Sequence, residues 1–348
     1  MSIYTHCMNT NSINTHCINY KDNIAKFAIL NNDPIDNNLH VISVISNPCN
    51  YKRRYSLACE YIKRMEDEMN VILYVVELAF DDQKFHVTQE NNPRHLQLRT
   101  ATSPLWHKEN MINIGIEKLL PTDWKSMAWI DADIEFENPY WALDTLKILN
   151  GAKDIVQLFS HAVDMDVHKL AMNVFSGFGY QYCKKLPYQK GGKAMNQYHP
   201  GYGWAMTRKV FDRIGAIYED SILGSGDHNM ALAFIGDGIK SLHINVDADY
   251  KQSIYEFERK CKGFRLGYTP GIIRHYFHGA KAKRFYVERW QVLIKHKYSP
   301  RLHIEKNKDG ILVPSKNCPS KLIKDIYDYF DSRDEDEGLR DALIGLKL

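Results

Sequence analysis

Four Asp-x-Asp pairs stand in the sequence: Asp131/Asp133, Asp164/Asp166, Asp247/Asp249 and Asp334/Asp336. Two neighbouring carboxylates repel each other unless a cation lies between them, and a hard divalent cation prefers such oxygen ligands. Held there, the cation can grip a diphosphate and stabilise it as it leaves. The pair also arises by chance in a chain this long, so its setting decides. Asp334/Asp336 falls in a charge run and Asp164/Asp166 in a loop. Asp247/Asp249 follows a plausible strand at Ser241–Val246 and competes with Asp131/Asp133, which follows the apolar strand Met127-Ala128-Trp129-Ile130. Two further clusters carry chemistry. Gly224-Ser225-Gly226-Asp227-His228 puts a carboxylate after a glycine-containing loop and at the start of a helix, where Asp also serves as an N-cap. His275-Tyr276-Phe277-His278-Gly279 offers two imidazoles, with Lys281, Lys283 and Arg284 close behind. Three residues apart, the two histidines share a face on a helix and diverge on an extended segment. Gly279 beside His278 permits a close approach of backbone to phosphate.

The elements that must position these groups alternate in type. Leu39–Ser46 reads as a buried strand, broken by Asn47-Pro48. Arg53–Met69 carries helical periodicity, Val71–Val76 is a strand, His95–Arg99 alternates, and Lys108–Leu120 is a helix closed by Pro121. The β-α-β-β-α-β order predicts a largely parallel sheet flanked by helices, with ligands beyond the carboxyl ends of the strands, where Asp131 and Asp133 lie. The second half is less regular. Residues 161–203 read as a functional loop region, Arg208–Ile214 and Asp227–Ile235 as helices, and the stretch beyond Pro300 as amphipathic helices with a solvated acidic face.

Composition excludes several classes. The 348 residues carry 45 Lys and Arg against 42 Asp and Glu, a net charge of +3, which disfavours a broad basic face for nucleic acid. No apolar run reaches about 18 residues, so no integral membrane helix is expected. The polar, Asn-rich N-terminus has no apolar signal region. Seven scattered cysteines suit free thiols in a reducing compartment, with the cytoplasm as the default. Residues 1–38 read as a separate polar, mobile leader. Its Thr5-His6-Cys7 and Thr15-His16-Cys17 repeats match no familiar zinc spacing.

Taken in order, Lys108-Glu109-Asn110-Met111-Ile112-Asn113-Ile114-Gly115 and Trp129-Ile130-Asp131-Ala132-Asp133 resemble the nucleotide-sugar half of GT-A fold glycosyltransferases. In that superfamily a helix containing Asn-x-Gly precedes a strand ending in Asp-x-Asp. Gly201-Tyr202-Gly203-Trp204-Ala205 and the Gly224–His228 segment resemble its acceptor side, and His275–Gly279 its metal-binding histidine segment. The style is similar to uncharacterised glycosyltransferases of phages and large DNA viruses. The resemblance implies a GT-A domain over 39–300, with a nucleotide-sugar half (39–160) and an acceptor and metal half (161–300), then a C-terminal helical extension over 301–348. It implies Mn²⁺ or Mg²⁺ held by Asp133 and His278 rather than His275, with Asp131 at the metal or the donor ribose. Asp227 becomes the general base of an inverting reaction. Ser46, Asn47, Glu77, Arg99, Lys108, Asn113 and Lys281 become donor contacts, and Tyr202, Trp204 and His228 acceptor contacts, with Tyr198 and Arg53 in support.

The expected substrates are a nucleoside-diphosphate sugar and a hydroxyl acceptor on a glycan, protein or small molecule, and the C-terminal helices offer a possible homodimer surface. A retaining transferase is the alternative. The retaining branch carries Gly three residues and Lys six residues after a His. From His275 the Lys281 spacing fits, but His278 takes the glycine position. A nucleotidyltransferase would carry a Gly-rich phosphate loop where this chain has Asn47-Pro48-Cys49-Asn50. A sugar-nucleotide-binding module without turnover is the third reading.

Overall fold

The computed structural model describes residues 23–101, 104–186 and 198–337. Its strands in chain order are β1 (Leu39–Ser46), β2 (Val71–Phe80), β3 (His95–Thr100), β4 (Ser126–Ile130), β5 (Ile134–Phe136), β6 (Ile155–Gln157), β7 (His161–Met165), β8 (Ala171–Gly177), β9 (Tyr198–His199), β10 (Gly203–Thr207), β11 (Leu266–Tyr268), β12 (Ile272–His275), β13 (Ile304–Lys306) and β14 (Leu312–Pro314). The helices are α1 (Asn23–Asn31), α2 (Lys52–Glu66), α3 (Lys108–Leu119), α4 (Trp141–Ile148), α5 (Phe178–Cys183), α6 (Arg208–Ile214), α7 (Gly226–Phe234), α8 (Ala248–Cys261), α9 (Trp290–Lys295), α10 (Pro300–His303) and α11 (Ser320–Ser332).

Seven strands form the central sheet in the order β11-β6-β10-β4-β1-β2-β3, all parallel except β10. The expected mostly parallel sheet flanked by helices is thus what the chain adopts. Strand β1 is buried on both faces, and its run of β-branched residues follows from that. Its Ile42 packs into a core with α3, α7, α8 and α11, while Val41 and Ile45 pack on the other side against α2 and α4. Helix α3 lies hard on the sheet at Gly115, where a Cβ would stand 2.9 Å from a methyl of Val76. The Asn-x-Gly motif is therefore a packing device. Gly115 permits the approach, and Asn113 clamps the segment after α6 through the backbone of Ile217 in both directions.

A second sheet, β5-β12-β7-β8-β9, sits beside the carboxyl end of β4 and is built partly from residues expected to be a loop. β12 runs antiparallel to β5, with His275 opposite Ile134, and parallel to β7, with His275 opposite Asp164. Between them those two registers bring Asp133, Asp164 and His275 to one place. The stretch Ser241–Val246 is not the expected strand. It begins in the short 3-10 turn Gly238–Ser241, and Ile244 is 78% exposed, so its apolar residues have no sheet to enter. Asp247 instead caps α8, accepting from the Asp249 amide, and Asp249 accepts from the Ser299 hydroxyl, so this pair leaves the contest for a metal.

Within the segment read as a leader, residues 23–31 form α1, and the Asn150 amide donates to the carbonyls of Ala28 and Asp33. The two Thr-His-Cys repeats lie outside the described residues. After α10 the chain makes the β13-β14 hairpin, then α11, whose Leu322, Ile323, Ile326, Tyr329 and Phe330 are buried. No helix among the described residues is long and apolar enough to cross a membrane.

Candidate active site

A cavity of about 640 Å³ opens beyond the carboxyl ends of β1 and β4. Six Lys and Arg side chains face it against four carboxylates, so it suits an anionic ligand. Two clusters dominate its floor.

The first is Asp133 with His275 and His278, whose ligand atoms all lie within 4.8 Å of one another. His278 Nε2 is 3.0 Å and His275 Nε2 3.9 Å from Asp133 Oδ2, and the two ring nitrogens are 3.2 Å apart. Tertiary structure joins both histidines rather than choosing one. His275 ends β12 and His278 follows the turn, which folds back because the Tyr276 amide donates to the Asp133 carbonyl. Burial alone would raise the Asp133 carboxyl, but His278, His275 and Arg284 hold it well below the usual carboxylate range. Burial depresses His275, which favours the neutral ring that a metal ligand needs. Asp133 Oδ1 is buried with no hydrogen-bond partner, and one carboxylate with two imidazoles is a usable set for a divalent cation. Arg284 stands 2.9 Å from His278 Nε2 and takes the lone pair that a bound cation would take in its place.

Around this cluster lies a residue that sequence reading set aside. Asp164, 1% exposed, accepts from His275 Nδ1 at 2.9 Å, from the Tyr202 hydroxyl at 3.1 Å, and from Lys281. Burial pushes its carboxyl up, but His275 and Lys281 hold it well below the usual range. A carboxylate on the far nitrogen of a metal-ligating His fixes its tautomer and leaves the other nitrogen's lone pair facing the metal. The only signal in the sequence was the burial alternation of β7, which a loop assignment hides.

The second cluster is Asp131, Lys108 and Asp227. Lys108 Nζ lies 2.6 Å from Asp131 and 2.9 Å from Asp227. Burial lowers the ammonium, but Asp131, Asp227 and Glu109 hold it well above its ordinary value. Burial likewise pushes Asp131 up to about 6 despite Lys108. Asp131 is not among the residues whose ligand atoms converge at Asp133, and its carboxylate pairs with Lys108 instead. Asp227 occupies the first turn of α7, but the N-cap is Ser225, so Asp227 is not the helix cap. Its Oδ1 is buried and unpartnered. Gly201 gives it room, since a Cβ there would stand 3.1 Å from Asp227 Oδ2.

The other expected contacts divide. Ser46, Asn47, Lys281, Tyr198, Tyr202 and His228 border the cavity. The Asn47 amide, however, closes a ring with the backbone of Tyr51 and locks the β1-α2 turn. Tyr202 is stacked on His199 with ring centroids 3.8 Å apart, so one face of its ring is already covered. His228 Nε2 lies 3.3 Å from the Tyr198 hydroxyl.

Five expected contacts lie off the cavity wall: Glu77, Arg99, Asn113, Trp204, and Arg53, whose guanidinium covers the Phe277 ring. Glu77 is buried and accepts from the amides of His86, Val87 and Thr88, holding the β2-β3 loop. Arg99 reaches the Asp81 carbonyl and covers the Phe85 ring. Asn113 is the clamp described above. Trp204 sits in the central strand β10 between β4 and β6, its indole donating to the Pro200 carbonyl, and belongs to the core. Glu77, Asn113 and Trp204 are buried and have found their partners inside the protein, whereas Arg99 is exposed. Arg284, noted in the sequence behind the histidine pair, lines the cavity, while sequence reading missed Arg54, Arg289, Arg333 and Glu335 on its wall. The last two come from the acidic segment taken for solvated surface.

No protein-family model and no curated protein matches the chain. Among solved structures, it is similar to a Drosophila β-1,4-galactosyltransferase 7 mutant, determined as a complex with manganese, UDP-Gal and xylobiose. That match has a TM-score of 0.38 and 9% identity, and covers 83% of this chain and 98% of the other. It is also similar to a protein from Desulfovibrio desulfuricans described as a nucleotide-diphospho-sugar transferase, with a TM-score of 0.28 and 10% identity, covering 68% of this chain and 80% of that one.

Proposed function

We propose that the protein is a metal-dependent glycosyltransferase that moves a sugar from a nucleoside-diphosphate donor to a hydroxyl acceptor with inversion. The observation that carries this reading is one cavity holding two separate devices. One is the Asp133–His275–His278 cluster with an unpartnered carboxylate oxygen. The other is Asp227, with its own unpartnered oxygen and an ion pair to Lys108.

Asp133, His275 and His278 would hold the divalent cation, and that ion would supply positive charge to the departing diphosphate. Mn²⁺ accepts a mixed oxygen and imidazole set more readily than Mg²⁺. Asp227 takes the acceptor proton. The acceptor oxygen attacks the anomeric carbon on the face opposite the diphosphate. The new C–O bond forms as the bond to the diphosphate oxygen breaks, the proton passes to the Asp227 carboxylate, and the diphosphate leaves with the bonding pair. Lys108, between the two carboxylates, aligns Asp227 with Asp131, which would face the donor ribose. The five described cysteines are free, which suits the cytoplasm as the compartment.

A thermal-shift screen against UDP-, GDP-, dTDP- and CMP-sugars, each with and without Mn²⁺, tests the reading. A donor at a hundredfold over its Kd stabilises by about 2.7 kcal/mol, a shift of several degrees. One nucleotide class should give a Mn²⁺-dependent shift that Asp133→Ala removes. No shift with any donor, or a shift indifferent to Asp133→Ala, overturns the assignment. The anomeric configuration of the product separates inversion from retention.

A further inference from the structure

The segment after α11 reads Asp334-Glu335-Asp336-Glu337; three of its carboxylates pair with basic side chains, Asp336 pairs with backbone amides, and Glu335 lines the cavity. Glu335, 1% exposed, lies between two guanidinium groups. Arg54 binds it through both oxygens at 2.5 and 2.9 Å, and Arg333 reaches it at 2.8 Å. Its Oε2 is 3.7 Å from Nδ1 of His278, the metal-cluster histidine. Asp336 accepts from the backbone amides of Lys52 and Arg53 at 3.0 and 2.9 Å, the first two residues of the fifteen-residue helix α2. Lys283 lies 2.7 Å from Asp334 and 3.4 Å from Glu337.

A guanidinium fork, helix N-terminal amides and an ammonium are the groups that bind phosphate. Arg333 keeps a buried Nε with no partner, so Glu335 does not saturate it. Gly279, the glycine expected to let backbone approach phosphate, meets this segment instead. A Cβ at Gly279 would stand 3.2 Å from the Arg333 carbonyl and from the Cα of Glu335.

We propose that Glu335 and Asp336 are an internal stand-in for a diphosphate, and that a nucleoside diphosphate binds at Arg54, Arg333 and the α2 amides by displacing residues 334–337. The inference rests on the nucleotide-sugar reading of the cavity. Arg333 stays with α11, and the break falls at Asp334, whose φ of 44° is left-handed. Withdrawing Glu335 leaves three wall carboxylates against six cations, and the incoming diphosphate restores the lost negative charge. Leaving buried guanidinium groups bare is costly, so the segment leaves only in exchange for another anion. The site is closed to solvent ions until a ligand with two linked phosphates arrives.

The test compares the full chain with the double variant Glu335→Gln, Asp336→Asn by calorimetric titration of UDP, GDP, ADP and CDP, each with Mn²⁺. A segment closed nine-tenths of the time or more reduces apparent affinity about tenfold or more, so the variant should bind its preferred diphosphate that much more tightly. Hydrogen exchange of residues 329–337 in the unmodified chain gives a readout that survives a poorly folding variant: the saturating diphosphate should increase exchange there. Equal or weaker binding by the variant, or protection of 329–337 by the ligand, shows that the segment completes the site and overturns the displacement while the nucleotide-sugar reading stands. Loss of Mn²⁺ affinity in the variant also overturns it, since Glu335 would then be supporting His278. Binding of none of the four by either protein overturns both.

Discussion

Asp164→Asn probes how the imidazoles of the proposed metal site are held. Oδ1 of Asp164 faces His275 Nδ1 at 2.9 Å and the Tyr202 hydroxyl at 3.1 Å, and Oδ2 takes Lys281. A carboxylate accepts at both oxygens, whereas an amide accepts at one and donates at the other. If the amide oxygen stays with His275, its NH₂ meets the Lys281 ammonium, donor against donor. If the amide flips, its NH₂ meets His275 Nδ1, which must then become the acceptor. The ring proton moves to Nε2, the nitrogen that faces Asp133. Either outcome weakens the cluster. Losing such an outer-shell partner lowers metal affinity about 10- to 100-fold, which corresponds to about 1.4–2.8 kcal/mol. Fold stability falls separately, by about 1–3 kcal/mol for a buried group left unsatisfied. Calorimetric titration of Mn²⁺ alone measures the first and a melting curve the second. A lower melting temperature with unchanged Mn²⁺ affinity would refute the positioning argument and leave Asp164 a structural ion pair.

Further expectations concern the second cluster. Asp227→Asn should lower kcat by about 10²–10⁴, the usual contribution of a general base, while donor Kd holds; loss of donor binding instead would make Asp227 structural. Glu109 is buried with both carboxylate oxygens unpartnered, and burial followed by Asp227 pushes it from 4.5 up to about 8. The folded chain therefore keeps a proton that the unfolded chain releases, and stability falls as pH rises between those two values. Glu109→Gln removes that dependence, so the two melting-temperature profiles should diverge across this window, the variant ending on the order of a few kcal/mol more stable; parallel profiles contradict the burial argument. Gly226→Ala would place a Cβ 2.2 Å from Glu109 Oε1 in a closed interior, and overpacking of this kind costs about 1–3 kcal/mol. Denaturant midpoints check it, and a neutral effect would mean that Glu109 can move.

Much of the frame was legible before any coordinates. The apolar runs at Leu39 and Val71, the helix pattern from Lys108 and the short strand before Asp131 are local signals of burial and periodicity, and each produced its element. Because ligands sit beyond the ends of parallel strands, that frame was enough to single out Asp131/Asp133, and glycines before a helix were enough to mark Asp227. Polar side chains fared worse. Glu77, Asn113 and Trp204 have the residue types of a binding site, yet each is spent on a loop, a helix clamp or the core.

The partnerships of the site were beyond local reading. Asp164 and His275 are 111 residues apart and meet only because β7 and β12 share a register. Arg54 and Glu335 are 281 residues apart and meet only because α11 delivers an acidic segment to the N-terminus of α2. Lys108, which pairs with both Asp131 and Asp227, shows why: charge distribution in a buried site is set by distances of a few ångströms. The sequence alone determined the strongly periodic elements such as β1, β2 and α3, since periodicity is local, but it misread the strands within 161–203 as a loop and Ser241–Val246 as a strand. Tertiary structure decided which charges neutralise one another, since that depends on what folding brings within reach.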